Sequence, residues 1–514
     1  MYDALIIGSG FGGSMAAHRL VRAGWRVLML ERGDWVPRGS HNRDPAATMA
    51  FAPEYSNESA SRSVSGGWEP EVRSVFCVGG ASVFYGGVSF RFREEDFTPG
   101  PEIAGGSGAA WPFRYDELEP YYAECERILG VAGDDTDDPT RPQRRDPYPY
   151  SPAPLAGVSE RFRDAARELG LRPFPLPLAI NFKANNGRTP CDACRACDSY
   201  VCAIEAKNDT SVAVIGPLIE RGLEVLTNTV VTGLVAAGSR ITDVRAWDRT
   251  RRETMSFQAR HVILAAGALA SPHLLLASGL ERACPAGHAV GAHLMRHCCG
   301  MVFGFCNDCP DPAKVFHKQL GVFDYYRGDR DTRRNRARRM GSIQQLSTPP
   351  SVLVGLRAPR ILAGIPLAGF VEHLVGALVI AEDEPRAENR VSIDWTDKDG
   401  VGLPRLEIRH AYTPRDKERR RMLVRRAKKI QRRLGAWAFY LHEVKTFSHA
   451  LGTVRMGTNP ATAPLDGSCR YRGLDNLLVV DGSALPSSGA VNPSLTIAAV
   501  ALRAADHLAT GASA

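Results

Sequence analysis

Residues 1–33, MYDALIIGSGFGGSMAAHRLVRAGWRVLMLERG, decide the fold. Ala4-Leu5-Ile6-Ile7 is a short apolar run, the length of one buried strand. Gly8, Gly10 and Gly13 follow in GxGxxG spacing, and Ser14 to Gly24 carries Met15, Leu20 and Val21 at helical spacing. Trp25 to Leu30 reads as a second buried strand, with Glu31 at its end. Gly8 permits the tight turn, Gly10 lets a pyrophosphate approach the backbone, and Gly13 lets helix and strand pack closely. The helix start offers N–H groups and a positive dipole end to phosphates. Glu31 stands where a carboxylate bonds ribose hydroxyls, which favours an adenosine diphosphate without a 2′-phosphate. The stretch predicts a bound dinucleotide and leaves FAD and NAD both open.

With 514 residues the chain is too long for one core and suggests two or three domains. The formal charge of +8 is modest for this length and reads as a solubility charge. No secretion signal or apolar run of membrane-spanning length is visible, so a soluble, cytoplasmic protein is expected. The sequons at Asn57 and Asn208 carry no meaning there. The 12 cysteines suggest reduced thiols or a metal site rather than a disulfide framework.

Further along, residues 34–70 read as loop, and Cys77 to Gly87 (CVGGASVFYGG) is a glycine–serine loop suited to pressing backbone against a flat or phosphorylated ligand. The segment from Trp111 starts a helix running to about Leu129 with Asp116 as its candidate cap, and 132–158 reads as a long surface loop. Cys191, Cys194, Cys197 and Cys202 are the densest thiol group. A ferredoxin-type run needs three residues before its last cysteine and a proline after it; here four intervene and Ala203 follows, so plain thiols are expected. Cys306 and Cys309, with Cys298 and Cys299 nearby, complete a zinc site only if the fold brings the groups together. Apolar segments at Ser211–Ile219 and Ser271–Ser278 read as helices, and Leu223–Thr227, Thr229–Val235, Ile241–Trp247, His261–Ala268 (ending in small residues) and Asn389–Asp394 as strands. Arg327–Arg339 is almost wholly charged. Arg415–Arg433 is a basic helix with an apolar stripe at Leu423, Ala427, Ile430 and Leu434. No aromatics are interleaved to stack bases, so no nucleic-acid partner is expected. Near the end, Asn492-Pro493 reads as a helix start, Asn capping and Pro taking the first helical position.

Taken together, GSGFGG with Glu31, GGASVFYGG, WPFRYDELEPYY, AAGALASPHLLLASG, HALGTVRMG and VVDGSALPSSGAVNPSLTIAAVALRAADHL occur in the order that the glucose–methanol–choline (GMC) flavin oxidoreductases show. The chain resembles that family over most of its length. The resemblance implies an α/β protein with a Rossmann-type FAD-binding domain and an α+β substrate domain whose sheet is mainly antiparallel. It assigns 1–95, 205–298 and 440–514 to the first, and 96–204 and 299–439, with the cysteine-rich loop, to the second. It implies FAD contacts at Gly8, Gly10, Phe11, Gly12, Gly13, Glu31, Arg32, Gly80, Ser82, Gly86, Val231 (or Val230), Ala266, Gly267, Asp481, Gly482, Asn492, Pro493 and Ser494. His449 matches the family's active-site histidine, which takes the hydroxyl proton, and Asn492 matches its partner. The helix after Pro493 would aim its positive end at the flavin. Val83, Phe84 and Tyr85 stand where some relatives carry a tethering histidine, so non-covalent FAD is expected. The implied activity is oxidation of an alcohol, with oxygen or another acceptor closing the cycle. The CDACRACDSYVCAIEAKND and FHKQLGVFDYY segments favour a sugar, glycoside or aminoglycoside hydroxyl over a sterol or small alcohol. Glu382, Asp383 and Glu384 are the candidate acidic pocket for a cationic substrate. A non-redox FAD-containing lyase, a nicotinamide-dependent dehydrogenase and an electron carrier built on the cysteines are the competing readings.

Overall fold

The computed structural model describes residues 1–44, 61–63, 75–183, 187–328, 339–348 and 367–511. Asn57, most of the 34–70 loop and nearly all of the charged run before Arg339 lie outside them. The strand Tyr2–Ile7 is the centre of a five-stranded parallel sheet, between Val27–Leu30 and Ala259–Leu264, with Glu224–Leu226 and Leu477–Val479 at the edges. Ala4, Leu5 and Ile6 are fully buried, as a strand covered on both faces requires. The glycine-turn helix spans Phe11–Arg22, three residues earlier than its apolar spacing suggests, because the glycine segment itself forms the first turn and Ser14 N–H reaches Gly10 O at 2.9 Å. One face of this helix packs against Ser494–Thr510, which is nearly all apolar along its buried side.

The second layer is a six-stranded antiparallel sheet in the order Ala438–Glu443, Cys298–Phe305, Leu374–Ala381, Gly341–Leu346, Leu320–Val322 and Pro173–Pro175. Its period of two gives each strand two faces with different partners. Val302, Ile343 and Val379 pack under the helices Gly157–Glu168 and Pro414–Arg433, and the basic helix buries its expected stripe there. On the opposite face, Ser342 and Gln344 reach the segment that precedes Ser494: Ser342 Oγ donates to Ala490 O at 2.7 Å.

Three expectations change. Asp116 does not cap Tyr115–Ile128; Glu117 Oε1 reaches back to accept Arg114 N–H at 3.0 Å, leaving Asp116 one position inside the helix. Asn492 does not cap Ser494–Thr510, whose first residue follows Pro493. The stretch 132–158 is irregular but not merely surface: Asp135, Asp138, Thr140 and Arg144 are buried. The cause is a buried ion network, since Arg93 needs Asp138 (2.7 Å) and Arg144 joins Asp135 (3.1 Å) to Glu126, which also pairs with the buried Arg91 (2.8 Å).

Candidate active site

At the glycine turn the sequence reading meets its geometry directly. A Cβ on Gly13 would lie 2.0 Å from Gly8 O, one on Gly12 2.4 Å from Val480 O, and one on Gly8, at φ +97°, 2.5 Å from Ala265 O. These three are required by packing. Gly10 differs: nothing of the protein lies within 4 Å of its would-be Cβ, and it opens the helix Phe11–Arg22. Open space at a helix start is the kind of cradle a pyrophosphate fits. Gly80, at φ +53°, brings the glycine–serine loop to Gly10, its would-be Cβ 3.2 Å from Gly10 Cα. Ser9 fastens the two segments, its Oγ donating to Glu31 Oε2 at 2.5 Å and accepting Gly79 N–H at 2.9 Å. Ser82 Oγ donates to Gly79 O at 2.6 Å and accepts Thr210 N–H at 3.0 Å. Glu31 is buried, which raises its pKa; its Oε1 accepts Gly33 N–H at 3.0 Å. The Arg32 guanidinium lies 4.2 Å over the Phe76 ring, and Val231 follows the strand start that bonds Glu31 O through Thr229 N–H at 2.9 Å.

Asp481 sits behind the turn. Its Oδ2 accepts Gly267 N–H at 2.9 Å and its Oδ1 accepts Ser483 N–H at 2.8 Å, while Ala266 N–H donates to Ser271 Oγ at 3.1 Å. Gly482 O accepts Gly452 N–H at 3.0 Å, Ser483 O accepts Val454 N–H at 2.9 Å, and Leu451 pairs with Met295. The loop carrying His449 is thereby clamped between the nucleotide fold and the His293–His297 stretch. Phe11 meets Tyr85 edge-on at 5.3 Å between centroids, and Ser494 Oγ donates to Val88 O at 3.1 Å. The Trp111 segment supports the same region from behind, Trp111 Nε1 donating to Ser487 Oγ at 2.8 Å.

His449 Nδ1 is 3.0 Å from His297 Nδ1, with the two rings nearly perpendicular at 89°. Burial, reinforced by His297 and Lys318 and only partly opposed by Asp383, lowers the His449 pKa to about 3. The imidazole is therefore neutral, a proton acceptor rather than a donor cation. Asn492 Oδ1 accepts Gln344 Nε2–H at 2.8 Å, so its amide N–H groups are left to donate elsewhere. Gln344 is fully buried and its Oε1 has no partner. Sequence reading missed both His297 and Gln344. Nothing in HLMRHCCG or GSIQQL marks them until the folded sheet places them beside His449 and Asn492.

Gly86 packs against an ion pair the sequence did not announce. Its would-be Cβ lies 1.9 Å from Asp198 Oδ1, and Lys318 Nζ reaches Asp198 Oδ2 at 2.8 Å. The acidic triplet is already committed. Glu382 Oε1 accepts Gly489 N–H (3.1 Å), Asp383 accepts the N–H groups of Arg296 (2.9 Å) and His297 (3.0 Å), and Glu384 Oε1 accepts Thr413 Oγ–H (3.3 Å). With Glu382 and Asp383 fully buried, the triplet braces the loop behind the histidines instead of lining an open cation pocket. None of the 12 cysteines, all of them among the described residues, is joined in a disulfide. Among the described residues, the ligating atoms that converge within 4.8 Å are not those of Cys191, Cys194, Cys197 and Cys202 but those of His297, Cys299 and His449. The cysteine loop is held instead by Lys207, whose buried ammonium donates to Tyr85 O (2.8 Å), Cys197 O (3.0 Å) and Tyr200 O (2.6 Å).

Two family models of GMC oxidoreductase match this chain, one over residues 2–299 and one over 385–501. The chain belongs to the GMC oxidoreductase family. As a GMC oxidoreductase it takes FAD, and the cradle at Gly10, the helix start behind it and the Asp481 turn fit that dinucleotide. Paromamine 6'-oxidase of Streptomyces fradiae is 33% identical, covering 99% of this chain and 91% of that protein. The 6'''-hydroxyparomomycin C oxidase of Streptomyces lividus is 32% identical over 99% of this chain and 92% of its own. Among solved structures, the pyridoxine 4-oxidase crystal structure from Mesorbium loti shares the fold at a TM-score of 0.66, with 21% identity and 99% of both chains covered. No helix among the described residues is long and apolar enough to cross a membrane.

Proposed function

We propose that this enzyme oxidises a hydroxyl of an aminoglycoside sugar, with FAD held non-covalently and oxygen or another acceptor restoring it. One observation carries the chemistry: a half-buried, neutral His449 in the same site as an Asn492 amide whose donors are uncommitted. FAD supplies the hydride acceptor when bound. His449 takes the hydroxyl proton as hydride leaves the carbinol carbon, and Asn492 N–H steadies the developing alkoxide. Pro493 and the N-terminal end of Ser494–Thr510 turn their positive dipole toward the charge that accumulates. The aminoglycoside choice rests on the two oxidases that align with 99% of this chain. The absence of a histidine at Val83, Phe84 and Tyr85 supports the untethered cofactor.

The test is anaerobic titration of the FAD-loaded protein with paromamine, paromomycin, glucose, a sterol and simple alcohols, following the flavin band. Bleaching by the aminoglycosides alone supports the proposal, and rapid return of colour in air identifies an oxidase. Bleaching by a sterol or simple alcohol in preference replaces the substrate class. A flavin that dithionite reduces but no alcohol bleaches removes the oxidation reading.

A further inference from the structure

Every polar atom of His297 is engaged. Its backbone N–H donates to Asp383 Oδ1 at 3.0 Å, its carbonyl accepts the Tyr412 hydroxyl at 2.7 Å, and its Nε2 faces two carbonyls, Ser488 O and Gly489 O, each at 2.9 Å. Its Nδ1 meets His449 Nδ1 at 3.0 Å. The residue is also held at φ +61°, a left-handed conformation uncommon outside glycine. A side chain so fixed, at some cost in backbone strain, is placed there for its ring.

The hydrogen bonds determine where the protons are. A ring nitrogen flanked by two carbonyl oxygens must carry hydrogen, because three lone pairs at 2.9 Å repel. His297 therefore has its proton on Nε2. Burial outweighs the attraction of Asp383 and keeps this ring neutral, so His297 Nδ1 bears a lone pair. A contact of 3.0 Å between two nitrogens needs one donor, and His449 Nδ1 must supply it. The neutral His449 then has its proton on Nδ1 and its lone pair on Nε2. Lys318 and Cys299, the other polar groups near this pair, do not change the assignment: Lys318 is paired with Asp198, and burial raises the Cys299 thiol pKa so that it stays protonated.

We propose that His297 is a positioning residue that sets the tautomer of His449, leaving Nε2 as the one nitrogen able to accept the substrate hydroxyl proton. The loop carbonyls of Ser488 and Gly489 thus dictate, through one imidazole, which end of a second imidazole is basic. The same loop leads to Asn492, so a single stretch of chain sets the basic end of one partner of the substrate oxygen and carries the other, which Gln344 orients. The proposal rests on the reading of His449 as the base.

The experiment has two independent readouts on the FAD holoenzyme. The first is nitrogen-15 NMR of histidine-labelled protein, with the His449 signals assigned by their loss in His449→Gln. The expected spectrum shows His449 Nδ1 as a protonated, pyrrole-type nitrogen and Nε2 as pyridine-type; the reverse pattern overturns the proposal whatever the substrate. The second is flavin reduction by paromamine in His297→Asn and His297→Leu. Asn keeps an acceptor oxygen where His297 Nδ1 stood, and Leu keeps none. We expect reduction within about tenfold of wild type for Asn and a loss of roughly 10²-fold or more for Leu, with FAD content unchanged in both. Equal losses in the two variants would mark a merely structural role and overturn the proposal. If paromamine fails to reduce the wild-type flavin, the substrate reading fails, and the NMR pattern still decides the tautomer.

Discussion

At the glycine turn the proposed recognition is done by backbone: at Gly8, Gly12 and Gly13 a Cβ would strike main-chain oxygen, and at Gly10 no protein atom lies near, which leaves room for the proposed ligand. At the catalytic floor the reverse holds. His449, His297, Asn492 and Gln344 act through side chains, each held by another side chain or by a carbonyl from a distant segment. A backbone site leaves its mark in local sequence, since a strand, a turn and a helix in order carry it, although Ala265, Val480 and Gly80 close around it from afar. A side-chain site needs both sheets assembled, because His297 leads one strand of the antiparallel sheet and Gln344 lies two strands away from it.

The sharpest way to break the comparison is at the floor. His449→Ala should keep its FAD and its yellow colour yet lose flavin reduction by about three orders of magnitude, measured by anaerobic stopped flow. Normal reduction would remove the role given to that residue. At the turn the outcome should invert. Gly10→Ala should leave the melting temperature of the apoprotein nearly unchanged, because its Cβ meets no protein atom, while FAD affinity falls by roughly 100-fold or more on fluorescence titration. Gly12→Ala should instead lower the stability itself by about 1–3 kcal/mol, since its Cβ strikes Val480 O. Equal melting temperatures for the two variants would show that the turn does not divide into packing and ligand-facing glycines.

Smaller effects sharpen the floor. Gln344→Leu frees the Asn492 amide to rotate, and reduction should slow by about tenfold with FAD retained. An unchanged rate would mean that Asn492 is oriented by something else. The smallest effect concerns pH. A free imidazole loses its base form as pH falls through about 6.5, whereas His449, lowered to about 3, stays neutral far below that. The limiting rate of flavin reduction should vary less than about threefold from pH 5 to 8. A fall with a midpoint near 6.5 would show that the buried environment does not hold.

The contrast also explains what the sequence disclosed. Gly8 to Glu31 is readable because strand, glycine spacing, helix and acid follow one another in a single stretch, even though the oxygens that exclude a Cβ at Gly8 and Gly12 come from Ala265 and Val480, and the apolar stripe of Pro414–Arg433 is readable because helical period alone decides it. Asn492 illustrates the limit. Local rules make Asn before Pro a cap, but the antiparallel sheet offers Gln344 as a partner for its oxygen, and the helix starts after Pro493. The buried half of 132–158 escaped notice for the same reason: Asp138 looks like any loop acid until Arg93 is seen to need it. His297 was hidden most completely, since a histidine in HLMRHCCG carries no pattern and acquires its part only from the carbonyls of Ser488 and Gly489.

The packing of Phe11–Arg22 against Ser494–Thr510 has a consequence for synthesis. The helix Phe11–Arg22 has its apolar side covered by one made far later in the chain, and the edge strand Leu477–Val479 also joins the first sheet late. During translation the nascent nucleotide fold must wait, with that side uncovered, for almost the whole chain to follow. Premature termination within Ser494–Thr510 would spare His449 and Asn492 and still release a chain prone to aggregate.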